Sequence, residues 1–164
     1  MSHPEITAYR PCVGIMLLNA KGEAWIGRRF EKQNDDGIGK WWQMPQGGVD
    51  DGEDLLATAK RELYEETGVT NVAFLAQSKD LHTYDLPEHL IGKSWNGKYR
   101  GQKQMWFVFR FAGADSEITL KVPGQKQEFD DWRWAKFDEL LDLIIPFKRD
   151  VYVSVLKEFQ SLGA

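Results

Sequence analysis

The sequence lacks several features that whole classes of protein require, beginning with cysteine. Cys12 is the one cysteine among 164 residues, so no disulfide can form within the chain, and a reducing compartment is the simplest expectation. No apolar run approaches the ~20 residues that cross a bilayer, and the first ten residues lack the charged-then-apolar pattern of a signal peptide. These absences predict a soluble, cytoplasmic protein with no membrane partner.

An excess of basic charge is also missing. The formal net charge is −4, whereas a protein that wraps duplex DNA usually needs a strongly basic surface. Duplex DNA is therefore not an expected partner, although a local basic pocket or a metal ion could still hold a phosphate group. Cys12 itself lies in the apolar run PCVGIMLL, which predicts a buried core residue rather than a nucleophile.

Apolar and aromatic residues, by contrast, are plentiful enough for a packed core. The chain has seven Trp, nine Phe and five Tyr and shows no repeats or interdomain linker, which predicts a single domain over residues 1–164. The hydrophobic patterns predict a mixed α/β fold, with loops at 31–40 and 46–54 and irregular chain at 82–90. The predicted strands are 12–18, 24–30, 41–45, 72–78, 103–111, 117–120 and 129–137, and the predicted helices are 54–67, 138–143 and 147–161.

Three carboxylates crowd the end of the first predicted helix, in the stretch RELYEETGV (61–69). Glu62 and Glu66 are one helical turn apart and Glu65 lies beside them, so the three fall within an arc of about 100° at the border of the apolar face. Like charges at this spacing cost roughly a few tenths of a kcal/mol when exposed, and more when desolvated. A hard divalent cation would remove that cost. The plain alternative is a solvated acidic face, the usual explanation of a run of charges.

The spacing around these carboxylates favours the metal site. The stretch GGVDDGEDLLATAKRELYEETGV (47–69) fills every specified position of the Nudix box, and the chain therefore resembles the Nudix hydrolase family. That resemblance implies a mixed β-sheet sandwiched between α-helices and a loop–helix–loop that binds Mg²⁺ or Mn²⁺, more than one ion when substrate is bound. It also implies hydrolysis of a pyrophosphate bond in a nucleoside diphosphate linked to another group.

By that resemblance the residues of the box have distinct roles. Glu65 and Glu66 are the principal metal ligands, and Glu62 is a further ligand or the general base. Arg61 orients a ligand, since it can reach Glu65 four residues further along the helix. Glu53, like Arg61, shapes the loop, and four glycines supply backbone freedom in the flanking loops: Gly47, Gly48, Gly52 and Gly68.

The resemblance extends over nearly the whole chain and indicates one subgroup, the bacterial RNA pyrophosphohydrolases together with the plant-type asymmetric diadenosine tetraphosphate hydrolases. It rests on YRPCVGIMLLN (9–19), WQMPQGG (42–48), GQKQMWFVFRF (101–111), EFDDWRWAKFDEL (128–140) and PFKRDVYVSVLKEF (146–159). In this subgroup the glutamate of the EFDxW segment, here Glu128, completes the metal site and is the other candidate for the general base. The resemblance also implies contacts with the substrate phosphates and base from Arg10, Arg28, Tyr84, Phe147 and Lys148, although each of these also fits a structural role.

The implied chemistry is attack of water on a polyphosphate chain, and two substrates fit it. One is a dinucleoside tetraphosphate, cleaved to ATP and AMP; the other is 5′-triphosphorylated RNA, which loses pyrophosphate. The stretch HTYDLPEHLIGKSWNGKYRGQ (82–102) is more similar to the dinucleotide-cleaving branch. A non-catalytic nucleotide sensor that kept the fold is an alternative from another class, but a sensor would tolerate loss of the carboxylates, and all four are present.

Overall fold

A mixed sheet of eight strands forms the centre of the molecule in a computed structural model that describes residues 6–30, 41–92 and 94–163. The strands are β1 (Tyr9–Leu18), β2 (Ala24–Arg29), β3 (Trp42–Gln43), β4 (Gln46–Gly48), β5 (Val72–Gln77), β6 (His82–Asp85), β7 (Gly101–Phe111) and β8 (Phe129–Ala135). The helices are α1 (Leu55–Thr67), α2 (Phe137–Leu143) and α3 (Arg149–Glu158). None of these three helices combines the length and the hydropathy needed to cross a bilayer. The loop predicted at 31–40 lies outside the described residues.

Strand β1 lies in the middle of the sheet. It runs parallel to β7 from the Tyr9–Gly101 pair to the Leu18–Arg110 pair. Its other edge pairs antiparallel with β4 near its start and with β2 at its end. Because successive side chains of a strand point to opposite faces, a central strand covered on both faces is apolar at consecutive positions, which explains the uninterrupted run CVGIMLL.

Two hydrophobic clusters cover the two faces of the sheet. One contains Ile15 of β1 together with Leu63 of α1. The other contains the next residue, Met16, together with Leu140 of α2 and Val155 of α3. The sheet therefore lies between α1 on one side and α2 with α3 on the other, and the predicted fold class is confirmed. That residues 1–164 form one domain stays a prediction.

Helix α1 has well-defined ends. The Asp54 carboxylate accepts a hydrogen bond from the backbone N–H of Ala57 at 3.0 Å, an N-cap. At the other end Gly68 has a φ of 73° and donates its N–H to the carbonyl of Tyr64 at 2.8 Å. A side chain is strained in this left-handed conformation, so Gly68 ends the helix as predicted. The two caps fix which residues occupy the last turns of α1, where the carboxylates lie.

The strand predicted at 117–120 is wrong. A short 3-10 turn occupies Asp115–Glu117 instead. The backbone N–H of Thr119 donates to the carbonyl of Thr67 at 2.9 Å, so this segment closes over the end of α1. A local pattern of apolar and β-branched residues predicted a strand, but a tertiary hydrogen bond decided the conformation.

Two short strands were predicted as loop or irregular chain. His82–Asp85 pairs antiparallel with β7, and Gln46–Gly48 pairs antiparallel with β1. Neither segment has an alternating hydrophobic pattern of its own. Each is extended because a long neighbouring strand offers it backbone hydrogen bonds, and such pairing leaves little trace in a local sequence.

Cys12 is buried in β1, as predicted, with 2% of its surface exposed. Burial raises the pKa of its thiol to about 11, although Arg10 Nη1 donates a weak hydrogen bond to Sγ at 3.7 Å. We expect iodoacetamide to modify the native protein far more slowly than the unfolded chain, because the thiolate is both scarce and shielded. Mass spectrometry of samples alkylated with and without guanidinium measures the two rates. Equal rates would contradict the burial.

Candidate active site

A cavity of about 470 Å³ brings together residues that are far apart in the sequence. Its lining includes all four carboxylates predicted to bind metal, which are Glu62, Glu65, Glu66 and Glu128. Its lining also includes four of the five residues predicted to hold substrate, which are Arg10, Tyr84, Phe147 and Lys148. We refer to this cavity as the cleft, to the first set as its acidic wall and to the second as its basic wall.

The acidic wall is crowded with negative charge. Glu66 is 8% exposed, and its Oε2 accepts a hydrogen bond from the backbone N–H of Gln46 at 3.2 Å. Burial, followed by the charges of Glu62 and Glu128, raises the pKa of Glu66 well above its ordinary value. Burial also raises the pKa of Glu62, to about 7. The repulsion expected from the helical spacing is therefore present, and Glu128, which directly precedes β8, contributes to it.

This donor set fits a hard divalent cation such as Mg²⁺ or Mn²⁺. It offers only carboxylate oxygens, and their mutual repulsion is the cost that a bound cation removes. Within residues 6–30, 41–92 and 94–163, no three His, Cys, Asp or Glu side chains form a ready-made ligand group. Two of the four carboxylates are held by an arginine instead. The assignment of these residues as metal ligands stays a prediction.

That arginine is Arg61, which ties the loop before α1 to the acidic wall. Its Nε and Nη2 donate to the two carboxylate oxygens of Glu53 at 2.7 and 2.9 Å. Its Nη1 donates to Glu62 and to Glu65, both at 3.0 Å, and Nη2 also donates to the carbonyl of Gly48 at 3.3 Å. The two-pronged contact lowers the pKa of Glu53 to about 2. Arg61 thus reaches Glu65, as the spacing predicted, and holds the loop through Glu53 as well.

Gly47 and Gly48 lie where no side chain would fit. A Cβ on Gly47 would overlap the carboxylate of Glu62, and a Cβ on Gly48 would overlap the guanidinium of Arg10. Neither glycine has a positive φ, whereas Gly52 and Gly68 do, at 74° and 73°. The backbone freedom predicted for these glycines therefore applies to the latter two. Gly47 and Gly48 instead let strand β4 lie directly against a side chain of each wall.

The basic wall is built around a buried lysine. Lys148 is 5% exposed, and its Nζ donates to Oε1 of Gln43 at 3.3 Å. The same nitrogen lies 5.6 Å from the ring centre of Tyr84 and 6.0 Å from that of Phe147, within the range of a cation–π interaction. The two ring centres are 5.7 Å apart. This wall therefore offers a desolvated positive charge beside aromatic surface.

Arg28 does not line the cleft. Its Nε donates to Asp130 at 2.8 Å, and its guanidinium lies 5.7 Å from the ring centre of Trp42. The neighbouring Arg29 lines the cleft instead and was not predicted. Alternation along β2 is the signal that could have separated the two, but a β-bulge between Arg28 and Arg29 interrupts it. A substrate contact by Arg28 stays a prediction that this geometry does not favour.

Comparison with known proteins identifies the family of the chain. A family model described as the NUDIX domain matches residues 8–155. The chain belongs to the Nudix family. A Brucella ovis protein named RNA pyrophosphohydrolase is 51% identical over all of this Nudix chain and 94% of its own length. An Agrobacterium fabrum protein of the same name is 55% identical over 94% of each chain.

A solved structure shows the same Nudix fold at much lower identity. The C. elegans Ap4A hydrolase, in a binary complex, matches with a TM-score of 0.65 over 93% of this chain and 96% of its own, at 17% identity. At that identity the likeness concerns the fold alone. Together the comparisons confirm the predicted Nudix family and its subgroup of bacterial RNA pyrophosphohydrolases, and with them the predicted class of enzyme.

Proposed function

We propose that this Nudix enzyme removes pyrophosphate from the 5′ end of triphosphorylated RNA, with Mg²⁺ or Mn²⁺ as its cofactor. The observation that carries the proposal is the pairing of the two walls in one cleft, carboxylates on one side and cations with aromatic rings on the other. The relatives that are 51–55% identical over at least 94% of the chain carry the name RNA pyrophosphohydrolase, which supports it. Only a 5′ end has to enter the cleft, so the net charge of −4 is no obstacle.

The acidic wall has two tasks in this proposal. Its four carboxylates would hold the metal ions, and Glu62 or Glu128 would also take a proton from the attacking water. When bound, the ions neutralise charge on the phosphate oxygens and make it easier for water to lose that proton. Arg61 keeps the carboxylates of Glu62 and Glu65 in place through Nη1. Both candidates for the base line the cleft, so the choice between them stays open.

The basic wall would hold the substrate. Arg10 and Lys148 supply positive charge for the phosphate chain, and the burial of Lys148 strengthens its attraction for a phosphate by keeping water away from the pair. Phe147 is half-buried while Tyr84 is only 7% exposed, so Phe147 is better placed to stack on a base. Such stacking contributes about 1–3 kcal/mol per base and does not depend on sequence. Tyr84 then packs beside the ring of Phe147 and the ammonium group of Lys148.

A dinucleoside tetraphosphate is a second candidate substrate, because it also offers a polyphosphate chain and a base. The stretch 82–102, which is similar to the dinucleotide-cleaving branch, contributes Tyr84, Leu86, Ser94 and Gln102 to the lining of the cleft. Part of the stretch that favours the dinucleotide therefore faces the cleft. Cleavage would yield ATP and AMP.

A direct comparison of the two substrates tests the proposal. We expect a higher kcat/KM on a short 5′-triphosphorylated RNA than on diadenosine tetraphosphate, with monophosphorylated RNA and pyrophosphate as the products. Chromatography of both reactions with Mg²⁺ and with Mn²⁺ identifies the products. A higher kcat/KM on the dinucleotide, with ATP and AMP formed, would reverse the order of the substrates. Absence of turnover on both substrates would refute the function.

A further inference from the structure

Four side chains, two of which line the cleft, form one connected hydrogen-bond chain, which we call the amide relay. Its members Gln102, Gln104 and Trp106 alternate along β7, point to the same face of the sheet and are each at most 2% exposed. Trp106 Nε1 donates to Gln104 Oε1 at 3.0 Å. Gln104 Nε2 donates to Oε1 of Gln102 and to Oε1 of the fourth member, Gln46, both at 2.8 Å.

The relay has to cross a strand, and Gly14 leaves the room for it. Gln46 belongs to β4, which pairs with one edge of β1, while β7 pairs with the other edge. Gly14 of β1 lies in register with Gln46 on one side and with Trp106 on the other. A Cβ on Gly14 would overlap the indole ring of Trp106. Because Gly14 has no side chain, the relay side chains can meet across β1.

The relay can adopt only one polarity. An indole N–H donates and cannot accept, so Gln104 has to turn its oxygen toward Trp106. The amide nitrogen of Gln104 then faces the other two glutamines and gives one N–H to each. Gln46 and Gln102 consequently turn their oxygens inward, which leaves their NH₂ groups toward the cleft that both residues line. The buried indole N–H of Trp106 thus determines that Gln46 and Gln102 turn N–H donors, and not carbonyl oxygens, toward the cleft.

We propose that the amide relay holds Gln46 and Gln102 as two oriented N–H donors for the oxygens of the substrate polyphosphate. This inference rests on the proposed function. Gln46 borders the acidic wall, since its backbone N–H donates to Glu66. Gln102 pairs in register with Arg10 and Tyr84 of the basic wall. The donors thus lie between the walls, where a phosphate chain has to pass.

Gln104 and Trp106 are positioning residues in this inference, because they act through the other two glutamines. A glutamine without such a tether could turn either end of its amide toward the cleft, and its oxygen would repel a phosphate oxygen. Orientation fixed before the substrate arrives removes that cost from binding. The expected signature is therefore a change in KM rather than in kcat.

Two substitutions break the relay, and one matched substitution does not. Gln104→Met removes the central amide without adding charge, and Trp106→Phe removes the indole donor. Trp25→Phe is the control, because Trp25 is equally buried and its indole nitrogen has no hydrogen-bond partner among the described residues. We expect KM for triphosphorylated RNA to rise about tenfold in both relay variants, as for the loss of hydrogen bonds to a charged group, with a smaller change in kcat. We expect Trp25→Phe and Trp106→Phe both to lower the melting temperature, but Trp25→Phe to leave KM unchanged.

A double-mutant cycle separates positioning from general damage. In a chain that already carries Gln46→Met and Gln102→Met, adding Gln104→Met should leave KM unchanged, because the relay acts only through those two side chains. An additive loss would overturn the inference, as would an unchanged KM in both relay variants or an equal rise in Trp25→Phe.

Inorganic triphosphate tests the nature of the bound group. We expect its inhibition constant to rise in parallel with KM in Gln104→Met, and a constant value would overturn the assignment of the donors to phosphate oxygens. Failure of the proposed function is a distinct result, because wild-type protein would then release no pyrophosphate from triphosphorylated RNA.

Discussion

We expect Glu65→Gln and Glu66→Gln each to lower kcat by about 100-fold or more, the usual scale for loss of one group that stabilises charge in a transition state. The substitution keeps the shape of the side chain and removes the negative charge that a metal ligand needs. Folding should survive, because Glu66 lies among like charges whose repulsion the neutral amide relieves. Its amide oxygen can still accept the backbone N–H of Gln46. Turnover at saturating RNA, together with thermal unfolding of each variant, measures both effects.

Glu23→Gln is the matched control for this pair. Glu23 lies beside the turn between β1 and β2, where Oε1 accepts a hydrogen bond from Asn19 Nδ2 at 3.0 Å, and it does not line the cleft. Its kcat should equal that of the wild type. Full activity of both Glu65→Gln and Glu66→Gln would show that the acidic wall is not the metal site.

We expect removal of divalent cations to abolish turnover, and addition of Mg²⁺ or Mn²⁺ to restore it. The physical reason is the set of four carboxylates in one cleft: burial, followed by repulsion from Glu62 and Glu128, raises the pKa of Glu66, and the same negative charge disfavours a polyanion unless cations neutralise it. Dialysis against EDTA, followed by titration with each metal, measures the dependence. A ligand that binds only the folded state also stabilises it, so Mg²⁺ should raise the Tm of the wild type.

The same titration on Glu66→Gln provides the comparison. Because one ligand has lost its charge, the variant should show a smaller rise in Tm at equal Mg²⁺. Undiminished turnover after chelation, or the same rise in Tm in both proteins, would contradict a metal site at Glu66.

The acidic wall places like-charged carboxylates close together and partly buried, which is locally destabilising. Neighbouring residues reduce this cost. Arg61 neutralises part of the charge and binds Glu53, Glu62 and Glu65 at once. Gly47 has no side chain, so the carboxylate of Glu62 fits against strand β4. Such conflicts between local preference and global fold are expected at functional sites, where a bound ligand supplies the missing compensation.

The elements that could be predicted are mainly those with a hydrophobic pattern of their own. Strand β1 is an uninterrupted apolar run, and β7 and helix α1 carry hydrophobic periodicity, so the existence of all three could be predicted from local sequence alone. Strands β4 and β6 are three and four residues long and exist because β1 and β7 offer them partners. Residues 118–120 show the reverse case, in which a strand-like pattern is overridden by a contact with the end of α1.

The sequence by itself determined the family, the long elements and the crowding of three carboxylates on α1, because the spacing within one helix translates directly into geometry. Only the tertiary structure decided that Arg29 rather than Arg28 lines the cleft, and that Gly47 and Gly48 serve close packing rather than turns. The polarity of the amide relay is likewise invisible in the sequence. It depends on side chains of β4 and β7 that meet across β1. Gln46 and Gln104 are 58 positions apart in the sequence, so their contact is determined by the tertiary fold and not by local sequence.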